Sequence, residues 1–81
     1  MTKGAEPRPG DWMALAQGRV VLRGISYELH ALHRIGDIER GIWGHTTGAV
    51  AAREAVVRWA LKDGVRAWYD AGDGTKVQIG G

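Results

Sequence analysis

With 81 residues, 44% of them hydrophobic and 25% charged, the chain has room for one small domain and not for two. Eleven Lys plus Arg against nine Asp plus Glu leave a formal charge of only +2, and the eight arginines run from Arg8 to Arg66 without gathering into a basic stripe, so charge alone singles out no polyanionic partner. Zero cysteines exclude disulfides, thiolate metal sites and cysteine nucleophiles, which leaves His, carboxylates, Arg and four Trp to carry recognition or chemistry.

A chain of this size buries only about 60% of the surface it exposes when unfolded, so its core is thin and a partner or a second copy of the chain is expected to add to it. No apolar run approaches the roughly 20 residues of a spanning helix. Residues 1–7 also lack the apolar stretch of a secretory signal, so the expected location is cytoplasmic, with no membrane contact.

Residues 1–10 hold both prolines and charges of both signs without periodicity and predict a flexible N-terminal arm; a single domain is expected over 11–81. Asp11 can cap a short helix from Trp12 to Gln17 ended by Gly18, but a strand fits the same residues. Val20, Val21 and Leu22 read as strand, interrupted by Gly24. From Ile25 to Ile35 strict alternation favours a strand over a helix, and Gly36-Asp37 supplies a two-residue turn into a second strand. That turn sets Ala31 opposite Ile42, His30 opposite Trp43, His33 opposite Arg40 and Glu28 opposite His45. It also predicts a core face of Ile25, Tyr27, Leu29, Ala31, Ile35, Ile38 and Ile42, and an outer face of Glu28, His30, Leu32, Arg34, Glu39, Trp43 and His45.

Between Gly48 and Gly64 lies the clearest helix, rich in alanine, with Ala52, Val56, Trp59 and Ala60 on its buried stripe and Glu54, Arg58 and Lys62 on a polar ridge. Thr46 or Thr47 can cap it, and Gly48 argues for a regular start only near Ala51. Val65 to Asp70 and Thr75 to Ile79 form a second hairpin, with Arg66, Trp68, Lys76 and Gln78 outward. The expected fold class is therefore α+β: a small antiparallel sheet of about four strands with one amphipathic helix packed on one face.

The run Leu29-His30-Ala31-Leu32-His33-Arg34, a Thr-Gly stretch, Ala52-Arg53-Glu54-Ala55-Val56-Val57-Arg58-Trp59, and Val65-Arg66-Ala67-Trp68-Tyr69-Asp70 before a Gly-containing turn together resemble short stand-alone bacterial and phage domains of unknown function, built as β-hairpin, helix, β-hairpin. The resemblance covers residues 25–80 and supplies no catalytic residues to carry over. For lone domains of this kind in phage and mobile elements it implies inhibition of a host or defence protein, as anti-CRISPR proteins do.

Three groups of residues have the composition of a chemical site. Glu28, His30 and His45 on one hairpin face are a metal-ligand set, but equally three polar residues on a solvated face, and no metal or other cofactor is expected. Asp70-Ala71-Gly72-Asp73-Gly74-Thr75 begins like a calcium loop, yet Gly81 stands where the closing acid belongs, so it reads as a turn. Ser26 is the only serine, no nucleophile is paired with His33, and no enzyme is expected.

Trp43 and Trp68 fall on outer faces, and a Trp beside Arg is a frequent interface anchor. The leading expectation is a non-enzymatic binding protein that docks a protein partner through Trp43, Trp68, Arg66 and Arg34, with His30 and Lys76 at the rim. A nucleic-acid binder is the alternative, in which Arg58, Lys62, Arg66 and Lys76 meet phosphates while Trp68 stacks on a base. Weaker still is a metal-dependent activity at Glu28, His30 and His45.

Overall fold

A computed structural model describes residues 6–36 and 42–81, with the backbone alone over residues 42–47. The chain forms β1 (Trp12–Leu22), β2 (Ile25–Arg34), β3 (Ile42–Thr47), α1 (Ala49–Asp63), β4 (Ala67–Asp70) and β5 (Lys76–Gly80). It is the small α+β fold expected, one sheet with one helix on one face, but the sheet has five strands in the order β3-β2-β1-β4-β5. β1 supplies the additional strand, which decides residues 12–17 in favour of strand over helix. Its pairing with β4 is parallel while the other three pairs are antiparallel. A parallel neighbour needs a crossover, and α1 supplies it: the chain leaves the β3 edge, passes over β2 and β1, and returns beside β1.

The β1–β2 hairpin is closed by Arg23-Gly24, with φ of 52° and 78°, between the paired residues Leu22 and Ile25. Two central residues at positive φ make the turn whose twist matches a two-residue hairpin. Farther down β1, pairing shifts between Ala16 and Gly18, so Gln17 is an extra residue and Gly18, at φ 118°, completes a bulge.

The expected β2–β3 register is corrected. Ala31 pairs with His45, not Ile42, and His30 with Thr46, not Trp43, a slip of three residues. The two-residue turn does not fit the described pairing, in which His33 stands opposite Ile42 and not Arg40. Asp37, Ile38, Glu39, Arg40 and the side chains of Trp43 and His45 lie outside the described residues. An odd slip exchanges which residues share a face.

Helix α1 begins at Ala49, earlier than Ala51, with Gly48 as its N-cap and no side-chain capping bond. Gly64 closes it in the left-handed conformation at φ 70°, where the Gly64 amide reaches the Leu61 carbonyl and the Val65 amide the Ala60 carbonyl. Its buried residues are Ala52, Ala55, Val56 and Ala60. These small side chains bring the helix close to Trp12, Ala14, Leu32 and Ala67, with Trp59, Val65, Tyr69 and Ile79 packed at the margin. Val56 is fully buried, worth about 1.5–3 kcal/mol relative to exposure.

The helix thus covers the face that carries Leu32 and, by alternation, His30 and Arg34, the face expected to point outward. The predicted core face, with Ile25, Tyr27 and Leu29, is the one without a helix. Trp12, Ala14 and Ala67 decide this, because the α1 alanine stripe fits against them.

Candidate functional site

Each residue expected to act at the surface has a definite place. Trp68 does lie on the face away from α1, but it is only 1% exposed. Its indole Nε1 donates to Asp11 Oδ2 at 2.9 Å, and the Arg66 guanidinium lies 5.0 Å above its ring. Arg66 is itself held, by Asp11 Oδ2 at 3.3 Å and by the Glu6 carbonyl at 2.5 Å. The segment expected to be a free arm therefore packs down over residues 6–10: the Gly10 amide bonds the Ile35 carbonyl and the Ile35 amide the Asp11 carbonyl. Trp68 and Arg66 are a structural clamp, not surface anchors.

Burial raises the Asp11 pKa, but the amide of Arg8, the Trp68 indole, the amide of Arg66 and the Arg66 charge outweigh it and hold the carboxyl below its ordinary value of 3.8. Asp11 is the central residue of this region, and its sequence signal, an Asp directly before Trp12-Met13-Ala14, suggested only a helix cap.

His30 is corrected as a rim residue, being 0% exposed beneath α1. Its Nε2 shares a hydrogen bond of 3.1 Å with the Tyr69 hydroxyl, whose ring stacks beside it and carries Arg53 5.2 Å above its centroid. Of the candidate Glu28, His30 and His45 set, His30 is turned to Tyr69, and the His45 side chain lies outside the described residues. Among the described residues no group of three or more His, Asp or Glu could hold a metal ion.

Lys76 lies 3.6 Å from Asp70, and Asp70 Oδ1 accepts the amides of Gly72 and Gly74. Those bonds turn the Asp70–Thr75 segment on its own backbone. Arg34 sits 5.9 Å over Trp12, beside an open cleft of about 320 Å³ lined by Trp12, Trp59, Lys62 and Asp63. Arg58 and Lys62 are exposed on the helix ridge. Of the four cations expected to meet phosphate, Arg66 and Lys76 are thus paired with carboxylates.

The uncovered surface lies elsewhere. β4 pairs with β1 only along residues 12–15 and β3 with β2 only along 29–33, so residues 18–28 continue as a lone two-stranded ribbon, about 15 Å long at 3.3 Å per residue. Cross-strand partners share a face, which puts Val20 with Tyr27 and Leu22 with Ile25 on the side away from α1. Leu22 is 54% and Ile25 56% exposed. Arg19 and Glu28 pair on the reverse side, where Arg19 Nε donates to Ser26 Oγ at 2.7 Å. Sequence reading missed this ribbon because Gly24 looked like an interruption; Val-Val-Leu and Ile-Ser-Tyr flanking Arg23-Gly24 were the hairpin signal.

Fold and surface together define a small single-helix α+β protein with a projecting apolar ribbon. Compared with protein-family models, curated proteins and solved structures, the chain matches none. No described helix is long and apolar enough to cross a membrane.

Proposed function

We propose that this chain is a non-enzymatic binding protein that docks a protein partner through the apolar face of the β1–β2 ribbon. The observation that carries the reading is the exposure of Leu22 and Ile25 beside Val20 and Tyr27 on strands that no other element covers among the described residues. Contiguous apolar surface rimmed by polar groups marks association sites, and an amphipathic ribbon has no core of its own to explain such a face. Arg19 and Arg23 supply the polar rim. Protein is favoured over nucleic acid because the ribbon presents aliphatic side chains, while Arg66 and Lys76 are neutralised by Asp11 and Asp70. Inhibition of a host or defence protein, which the resemblance implies, is one use of such docking.

The test is site-specific photo-crosslinking in cells, with the crosslinker at position 22 on the ribbon or at position 50 on exposed helix surface. A discrete protein adduct from position 22, absent from position 50 and lost with Tyr27→Asp, is the expected result. Nuclease-sensitive adducts, or identical products from both positions, would overturn the reading.

A further inference from the structure

Strand β5 ends the sheet, and among the described residues its outer edge has no partner strand. Side chains alternate along it: Val77 pairs with Tyr69 and stands with Ile79 on the helix side, whereas Lys76 and Gln78 point to the other face. Val77 is 55% exposed. Above them runs the flank of α1, and between helix and strand lies an open groove of about 570 Å³ lined by Arg53, Glu54, Val57, Arg58 and Ile79. Past Val57 the groove continues into a second hollow of about 250 Å³ that reaches Leu61, Val65 and Gly81. The two hollows share Val57, so α1 and the Ile79–Gly81 end of the edge strand bound one trough.

Its lining combines cations with apolar side chains. Arg53 and Arg58 stand at the entrance end, and neither forms an ion pair among the described residues. Arg53 is held over the Tyr69 ring, so its position is set before any ligand arrives. Glu54 offsets one of the two positive charges. Beyond Val57 the lining is Ala60, Leu61, Gly64 and Val65, with Arg66 at its far side. Edge strands are commonly guarded by lysine, but Lys76 is drawn back to Asp70 and to the Gly74 carbonyl, which leaves the β5 edge open.

We infer that the α1–β5 groove binds an extended acidic-apolar segment of a partner protein, which adds as a sixth strand to the β5 edge. Main-chain bonds to residues 76–80 hold the segment, a carboxylate meets Arg53 and Arg58, and apolar side chains two residues apart enter over Ile79 and beside Leu61. Charge sets the polarity: a cationic segment would place like charges at the entrance. This surface is on the helix side of the sheet, away from the ribbon's apolar face, and stands independently of the ribbon's role.

The test uses fluorescein-labelled short peptides in which threonine alternates with one glutamate and two valines. Placing the glutamate first or last covers both strand directions, and lysine replaces it in the controls. At least one glutamate peptide should bind the full chain, shift the amide resonances of residues 76–80, and weaken about tenfold with Arg53→Glu or Arg58→Glu and in a peptide whose threonines are replaced by proline. Both variants alter exposed or half-exposed side chains, and an unchanged melting profile confirms that they fold. Leu22→Asp, on the ribbon, should leave peptide binding intact, so a failure of the ribbon reading stays distinct. Absence of binding, equal binding of the lysine peptide, or indifference to charge reversal would overturn the inference.

Discussion

The Trp68 indole and the Asp11 carboxylate are joined by a buried hydrogen bond of 2.9 Å that ties the start of β1 to β4 across 57 residues of chain. Asp11 also accepts the amides of Arg8 and Arg66, so one carboxylate fixes the N-terminal segment, the parallel β1–β4 pair and the position of Arg66 together. Its removal is expected to propagate beyond its own contacts.

Trp68→Phe keeps most of the ring volume but leaves Asp11 short of a donor, and Asp11→Asn keeps the shape but loses the charge. Each should cost about 1–3 kcal/mol in urea denaturation, with a coupling energy of at least about 1 kcal/mol in the double mutant. Trp68→Ala should cost about 3–5 kcal/mol, a large part of the stability of a domain this size. An alanine variant that melts like the wild type would return Trp68 to the surface role that sequence alone suggests.

The lowered Asp11 pKa gives a sign for acid sensitivity. Because the folded-state pKa lies below the unfolded value of about 3.9, the stabilisation is complete above that value and is lost as pH falls through the folded pKa. Wild type and Asp11→Asn should therefore converge in stability below about pH 3.9 and separate above it. A constant difference across that range in pH-dependent denaturation would show that Asp11 does not carry the dependence.

Arg23 is the one described non-glycine residue at positive φ, at 52° in the ribbon turn. A left-handed conformation costs most L-residues about 1–2 kcal/mol, and Asn less. Arg23→Asn should accordingly stabilise the ribbon by roughly 0.5–1 kcal/mol, read as slower amide exchange along residues 18–28. Faster exchange there would mean that the Arg23 side chain holds the turn in a way its backbone does not reveal.

Much of this architecture was legible because local signals agreed with it. The alanine-rich stripe with Gly64 behind it gave α1, and Gly72-Asp73-Gly74 between alternating residues gave the β4–β5 hairpin. The sheet's orientation was not legible. The face of β2 that α1 covers, with Glu28, His30, Leu32 and Arg34, is the more polar of the two, and the choice depends on Trp12 and Ala14, whose segment fitted a helix or a strand. The same ambiguity hid the surface: once β1 is a strand, Trp68 is clamped by Asp11 and the exposed apolar groups move to Leu22 and Ile25. Parallel pairing of β1 with β4 joins distant segments and leaves no periodicity in either.

The bond between His30 and Tyr69 is a further polar contact whose worth can be measured. His30 Nε2 is satisfied by the Tyr69 hydroxyl, whereas Nδ1 has no partner among the described residues. Tyr69→Phe would strip the ring of that bond under a close-packed helix and should cost about 1–3 kcal/mol. Exchanging both groups, His30→Leu with Tyr69→Phe, removes the polar atoms together and should restore stability to within about 1 kcal/mol of wild type. Urea denaturation of the two single variants and the double variant decides the matter. A Tyr69→Phe cost that persists undiminished in the double variant would mean that the hydroxyl is held for another partner, and that His30 is not the reason it is there.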